Sequence, residues 1–161
     1  MEACRLTLML FLLFQLGQER YVLEASRIVE ILPLLDLKTI PHAPPGVAGI
    51  FNYRGQPVPA VDLTQFTLGQ PARQHLSTRI VLVHYPDHGR QRLLGLIAEQ
   101  ATQLIRKEPK DFVPSGVKMA AAPYLGPVAM DPRGVIQWVR EQRVLPESVR
   151  DLLFRENVEQ A

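Results

Sequence analysis

Cys4 is the only cysteine in the chain. An intramolecular disulfide and a cysteine-rich metal site are therefore excluded, and the chain fits a reducing compartment, the cytoplasm. An excess of one charge is missing too. Eighteen Lys plus Arg against 16 Asp plus Glu leave a net +2, with no basic run dense enough to track phosphates, so nucleic acid is not an expected partner. Long apolar runs are absent as well. The stretch Leu6 to Phe14 follows Arg5 and superficially copies a secretion signal, but no small-x-small cleavage pattern follows it. It has about half of the roughly 20 residues that a membrane span needs, so no membrane insertion is expected and a buried first strand explains it.

Uninterrupted helix is the next absence. Fourteen prolines and 10 glycines are spread so that no segment free of both exceeds 16 residues. A helix interior rejects proline by about 3 kcal/mol, whereas turns and strand edges accept it, so a helical bundle is excluded. Catalytic signatures are lacking as well. There is no Gly-rich phosphate loop, no G-x-S-x-G elbow and no Cys/His nucleophile pair, so an enzyme is not expected. His84 and His88 have a spacing that suits a metal on a helix, but Pro86 and Gly89 make the segment a turn. Asp62 reads more simply as a cap of the turn after it than as half of a carboxylate pair. No cofactor or metal is expected.

What is present is 161 residues with 47% apolar side chains, enough for one compact domain. Short apolar runs stand between the breakers: Phe11 to Leu16, Tyr21 to Leu23, Ile50 to Tyr53, Val58 to Val61, Ile80 to Val83, Leu93 to Ile97 and Val135 to Val139. Their length and Val/Ile content predict strands of a barrel or sandwich, the first two joined through Gly17-Gln18-Glu19. Ser26 is expected to cap a short helical turn through Arg27, Ile28, Val29 and Glu30. Thr64 to Leu68, closed by Gly69, is expected to form another. The longest expected helix is C-terminal, over 146–155, with Val149, Leu152 and Leu153 on one face. Residues 1–8 are expected to be an extension and 9–161 the domain.

A loose internal repeat relates the two halves, roughly 11–70 and 78–145. Tyr21 to Ala25 matches Leu94 to Ala98 at an offset of 73, while Arg54-Gly55 matches Arg133-Gly134 at 79. Two similar, intertwined β subdomains are predicted. Neither is large enough to bury much core alone, so they should pack on each other and leave a groove at their junction.

Several motifs occur in a fixed order: Phe11-Leu12-Leu13-Phe14-Gln15-Leu16-Gly17, Ile28-Val29-Glu30-Ile31, Ile40-Pro41-His42-Ala43-Pro44, Val47 to Gly55, and Val58-Pro59-Ala60-Val61-Asp62-Leu63. This series resembles the first half of the CheW family, the coupling proteins of bacterial chemosensory arrays. Tyr53 departs from it, standing where the family has Leu in Asn-Leu-Arg-Gly. The second half is a weaker match: Gly95-Leu96-Ile97-Ala98-Glu99 has Glu for the family's Asp, and Gln137-Trp138-Val139 stands where Leu-Asp is usual. The resemblance implies an all-β fold with short helices: two SH3-like five-stranded barrels packed together, with a C-terminal helix. It also implies no enzyme activity. The implied partners are the cytoplasmic tip of a methyl-accepting receptor, held in a groove between the subdomains, the regulatory domain of a CheA-type histidine kinase, and other CheW-like domains. A Wsp-type surface-sensing adaptor is the nearer subtype. Two alternatives are a kinase-binding cap or decoy without receptor coupling and a small-ligand-binding β-barrel.

Four residues are candidates for receptor contact and one for kinase or adaptor contact. Ile28 and Ile31, three apart on the short turn, either face outward as an apolar strip for a helical hairpin or pack in the core. Arg54, before Gly55, either caps local carbonyls or offers its guanidinium fork to a partner carboxylate. Glu30 is either a solvated side or the group that orients a partner's cation. Trp138 is either core, with Ile136 on its face by strand alternation, or an exposed anchor for kinase or adaptor.

Overall fold

The computed structural model describes residues 8–117 and 120–154. Nine strands and two helices run in the order Met9–Leu16 (β1), Glu19–Glu24 (β2), Ile28–Pro33 (β3), Val47–Tyr53 (β4), Gln56–Asp62 (β5), Leu63–Leu68 (α1), Arg79–Asp87 (β6), Arg90–Lys107 (β7), Leu125–Asp131 (β8), Gly134–Val139 (β9) and Glu147–Phe154 (α2). Each of the seven expected runs lies inside one of these strands. β3 and β8 were not expected, and β7 continues well past Ile97.

Two five-stranded sheets share β7. The first half of β7 pairs with β6 and, in parallel, with β5, while β3 flanks β6 and β4 flanks β5. The second half pairs with β1, followed by β2, β9 and β8. The passage between sheets is marked by Gln100, at φ 51, and by a register shift opposite Leu13 to Gln15. Single bridges, Lys38 to Ile50 and Val113 to Val128, draw each sheet round on itself. The first bridge explains Gly49, because a Cβ there would lie 2.5 Å from the Lys38 carbonyl oxygen.

The halves 11–70 and 78–145 are therefore intertwined, each contributing strands to both barrels. The repeat is present as a pair of hairpins in each half, β1–β2 with β4–β5 and β6–β7 with β8–β9. Each half lends its first hairpin to the other: β2 pairs in parallel with β9, and β7 with β5. Both pairings bring a hairpin's second strand beside the last strand of the opposite repeat, so contiguous segments cannot be read as separate units.

Three apolar layers result. Phe51, Val58, Ala60, Ile80 and Leu82 fill the first barrel, built on the sheet of β3 to β6, and Phe11, Leu13, Val22, Ala129 and Ile136 fill the second, built on the sheet of β1, β2, β8 and β9. The third layer lies between the sheets, with Leu12, Phe14 and Leu23 from one side meeting Val81, Val83 and Leu96 from the other. Strand alternation sends successive residues of β1 into different layers, which is why Phe11 to Phe14 is continuously apolar.

Two helical expectations need correction. The turn after β2 is a 3-10 turn over Ala25–Arg27 only, with Glu24 and not Ser26 at its N-cap, and Ile28 to Pro33 is strand. The β-branched Ile28, Val29 and Ile31 suit the pleated ladder with β6 better than a helix. In α2, Leu152 is 54% exposed, whereas Val149, Leu153 and Phe154 turn toward the middle layer. α1 and its caps are as expected. The Asp62 carboxylate accepts from the N–H groups of Thr64 and Gln65, and Gly69 closes the helix at φ 74. Cys4 and residues 1–7 of the expected extension lie outside the described residues.

Candidate functional site

The β4–β5 connection is a two-residue loop, because Tyr53 pairs with Gln56. Arg54 at φ 52 and Gly55 at φ 84 both take left-handed conformations, the backbone of a type I′ turn, and Asn52 Oδ1 accepts from the Gly55 N–H at 2.8 Å. This turn carries Arg54 to an exposed corner, where its Nη2 lies 3.3 Å from Glu30 Oε1 on β3 and its Cζ lies 5.2 Å from the centre of the Tyr53 ring. Two candidates separated by 24 residues are thus joined. Glu30 is the partner of Arg54.

Ile28 and Ile31 belong to a different face. A bulge at Val29 shifts the register, so that Ile28 lies opposite Val83 and Ile31 opposite Val81. Directly opposed residues share a face, and both valines belong to the layer between the sheets. The three-residue spacing thus leaves both isoleucines on one side, through a bulge instead of a helical turn. Ile28 is partly buried in that layer, while Ile31 is 39% exposed at its margin. Glu30 lies opposite Leu82 of the first barrel's core, on the other side of the strand.

The second sheet extends the same inter-sheet face with residues that the sequence did not single out. Leu104 lies opposite Leu12 of the middle layer and is 52% exposed, and Leu10, two residues before Leu12, is also exposed. In the sequence they are ordinary strand leucines. Only the strand pairing shows that the opposite sheet stops short of covering them.

Trp138 packs in the second barrel. Its ring centre is 4.9 Å from that of Phe11 and 5.1 Å from that of Phe112, both edge-on, and the Arg140 guanidinium carbon lies 5.0 Å over it. Ile136 shares this core and Val135 faces solvent, as alternation requires. The packing alternative describes this half-buried ring better than an exposed anchor does.

Buried and half-buried charges fasten the elements around these faces. Arg20 at the start of β2 forms a bidentate pair with Asp131, and this hydrogen bond holds the Asp131 carboxyl below the usual carboxylate range. Burial pushes the Glu141 carboxyl up, with Arg27 Nε 3.4 Å away acting against it. Glu99, buried where β7 changes sheets, accepts from Thr64 Oγ1 at 3.1 Å. These carboxylates anchor backbone and helix ends and form no metal cage. Among the described residues, no group of three or more His, Cys, Asp or Glu is placed to hold an ion, and no helix is long and apolar enough to cross a membrane.

Two five-stranded sheets with a shared strand, an Asn-x-Arg-Gly turn and a following strand that ends in a capping Asp describe a known domain. The CheW-like domain family matches residues 10–148. This chain belongs to the CheW-like domain family. The chemotaxis protein CheW of Helicobacter pylori is 30% identical over 105 residues, which are 65% of this chain and 61% of that protein. That of Treponema pallidum is 42% identical over 50 residues, 31% of this chain and 29% of that protein. The chain thus spans less than two thirds of the length of these CheW relatives. The scaffolding protein TtCheW of Thermoanaerobacter tengcongensis superposes with a TM-score of 0.73 at 21% identity, covering 86% of this chain and 88% of that one, and shares the fold.

Proposed function

We propose that this CheW-like chain is a non-catalytic adaptor. It couples the cytoplasmic tip of a methyl-accepting receptor to the regulatory domain of a CheA-type histidine kinase, in arrays at the cytoplasmic face of the membrane. The observation that carries the reading is the corner where Arg54 and Glu30 meet, on the strand β3 whose other side leaves Ile31 exposed at the inter-sheet face. An apolar face together with a charged pair suits a helical hairpin, whose own apolar stripe and flanking charges match it. Ile28 supports that face from within. Trp138 supports the second barrel, and contact with the kinase or with another CheW-like domain falls to the surface around it.

The two alternatives are less well supported. Large apolar side chains pack in both barrel interiors, Phe11 and Ile136 in one and Phe51, Ile80 and Leu82 in the other, as in small barrels whose interiors are filled by their own side chains. A decoy that binds kinase alone would have no use for the open inter-sheet face. Pairwise binding to the receptor's cytoplasmic fragment and to the kinase's regulatory domain separates the readings. An adaptor binds both, a decoy only the kinase, and a ligand carrier neither.

A further inference from the structure

We infer that Tyr53 is a positioning residue that aims the Arg54 guanidinium at a carboxylate on the partner. The inference rests on the reading above that this corner meets the receptor. An arginine on an exposed turn ordinarily wanders among many rotamers and loses that freedom on binding. Here the backbone beneath it is fixed by the two-residue turn and by the Asn52 Oδ1 bond to the Gly55 N–H at 2.8 Å. The guanidinium is held as well. Its carbon lies 5.2 Å over the Tyr53 ring, and Nη2 is 3.3 Å from Glu30 Oε1. The platform is itself anchored, because Tyr53 is half-buried and packs on the first barrel's core.

The geometry also limits the ligand. A guanidinium carries five N–H donors in one plane. The ring takes a face, Glu30 takes one edge, and the side chain remains 76% exposed, so the rest of the fork points to solvent. That fork matches a carboxylate in two-point contact. A doubly charged phosphate is a poorer match, because Glu30 already neutralises the cation and would repel the second charge. The apolar Val29, 40% exposed and next to Glu30 in β3, suits an acidic side chain that has an aliphatic neighbour.

Two variants test this, Tyr53→Phe, which keeps the ring face, and Tyr53→Leu, which keeps apolar packing without it. In the free protein, the Arg54 Nε–H and Hδ resonances should carry a ring-current shift in the parent and in Tyr53→Phe and lose it in Tyr53→Leu. Titrated with the receptor's cytoplasmic fragment, Tyr53→Leu should bind about two- to fivefold more weakly at low salt, the scale of an exposed cation–π contact. The deficit should shrink as salt rises, Tyr53→Phe should match the parent, and the melting temperatures should agree. Unshifted Arg54 resonances in the parent, equal losses in both variants, or a loss indifferent to salt would overturn the inference. A parent protein that does not bind the fragment overturns the adaptor reading and the partner's carboxylate with it, and the resonance shift alone then decides whether Tyr53 positions Arg54.

Discussion

Arg54 combines three features that seldom coincide in a merely structural residue: a left-handed backbone, a side chain 76% exposed, and an exposed acidic partner. A non-glycine residue at positive φ costs about 1 kcal/mol or more, and such strain collects at functional sites. The exposed ion pair contributes little to stability, because water screens it. Arg54→Ala should therefore leave the melting temperature nearly unchanged and weaken receptor binding by about 1 to 3 kcal/mol in a calorimetric titration. A large loss of stability with normal binding would assign Arg54 a structural role. Asp131 is the opposite case, with its side chain 12% exposed and paired to Arg20. Its folded-state pKa lies below the ordinary 3.8, so the stability it adds is present above that value and is lost as pH falls through the lower folded value. Asp131→Asn should be less stable than the parent at pH 7 in urea unfolding, and the gap should close in acid near and below the ordinary range. The sequence offered Arg54 because a Gly followed it, but offered nothing for Asp131, whose partner lies 111 residues away.

At the scale of elements, edges and caps are where the sequence was most legible. Pro57 and Pro59 alternate on β5 opposite Asn52 and Ile50 of β4, and β7 joins β5 only from Ala60 onward. Proline has no N–H to donate, so these two positions sit on the stretch of β5 that lacks a second neighbour and close it to a further strand. Asp62 was readable as a cap for a similar reason, since a carboxylate before a short polar-apolar run has that local use. Its Oδ2 does something further, accepting from the Ala72 N–H at 2.8 Å and so tying the segment after α1 to the helix start. Asp62→Ala should destabilise the domain by about 1 to 2 kcal/mol, the upper range for a cap, and raise amide exchange at Thr64, Gln65 and Ala72 together. Protection retained at Ala72 would mean that the tie is not energetic. β3 escaped notice because its bulge at Val29 breaks the alternation that identifies a strand. The same bulge gives Ile28 and Ile31 a helix-like spacing, so the two share a face although the element is a strand. β8 escaped because Gly126 and Pro127 interrupt it, and they sit where its register with β9 shifts.

For the whole molecule, the repeat was visible but the identity of the hairpins that cross between halves was not. Local sequence fixes which residues form a hairpin, whereas the choice of neighbour depends on faces that meet only after collapse, as with Tyr21 opposite Gln137 and Ala60 opposite Gly95. Both halves are needed for either barrel. Fragments 1–74 and 75–161, made separately, should each lack native near-ultraviolet dichroism and regain it when mixed, whereas a fragment that folds alone would show that the exchange is not obligatory. The shared middle layer also fixes the two outer faces relative to each other, as the proposed adaptor role requires. The most direct measurement is cosedimentation of a CheA-type kinase with vesicles that display the receptor's cytoplasmic fragment, with and without this protein. The account predicts that kinase pellets in proportion to the added chain and that Arg54→Ala reduces the pelleted fraction. Kinase recovered equally in its absence, or left in the supernatant at saturating chain that binds each partner singly, would contradict it.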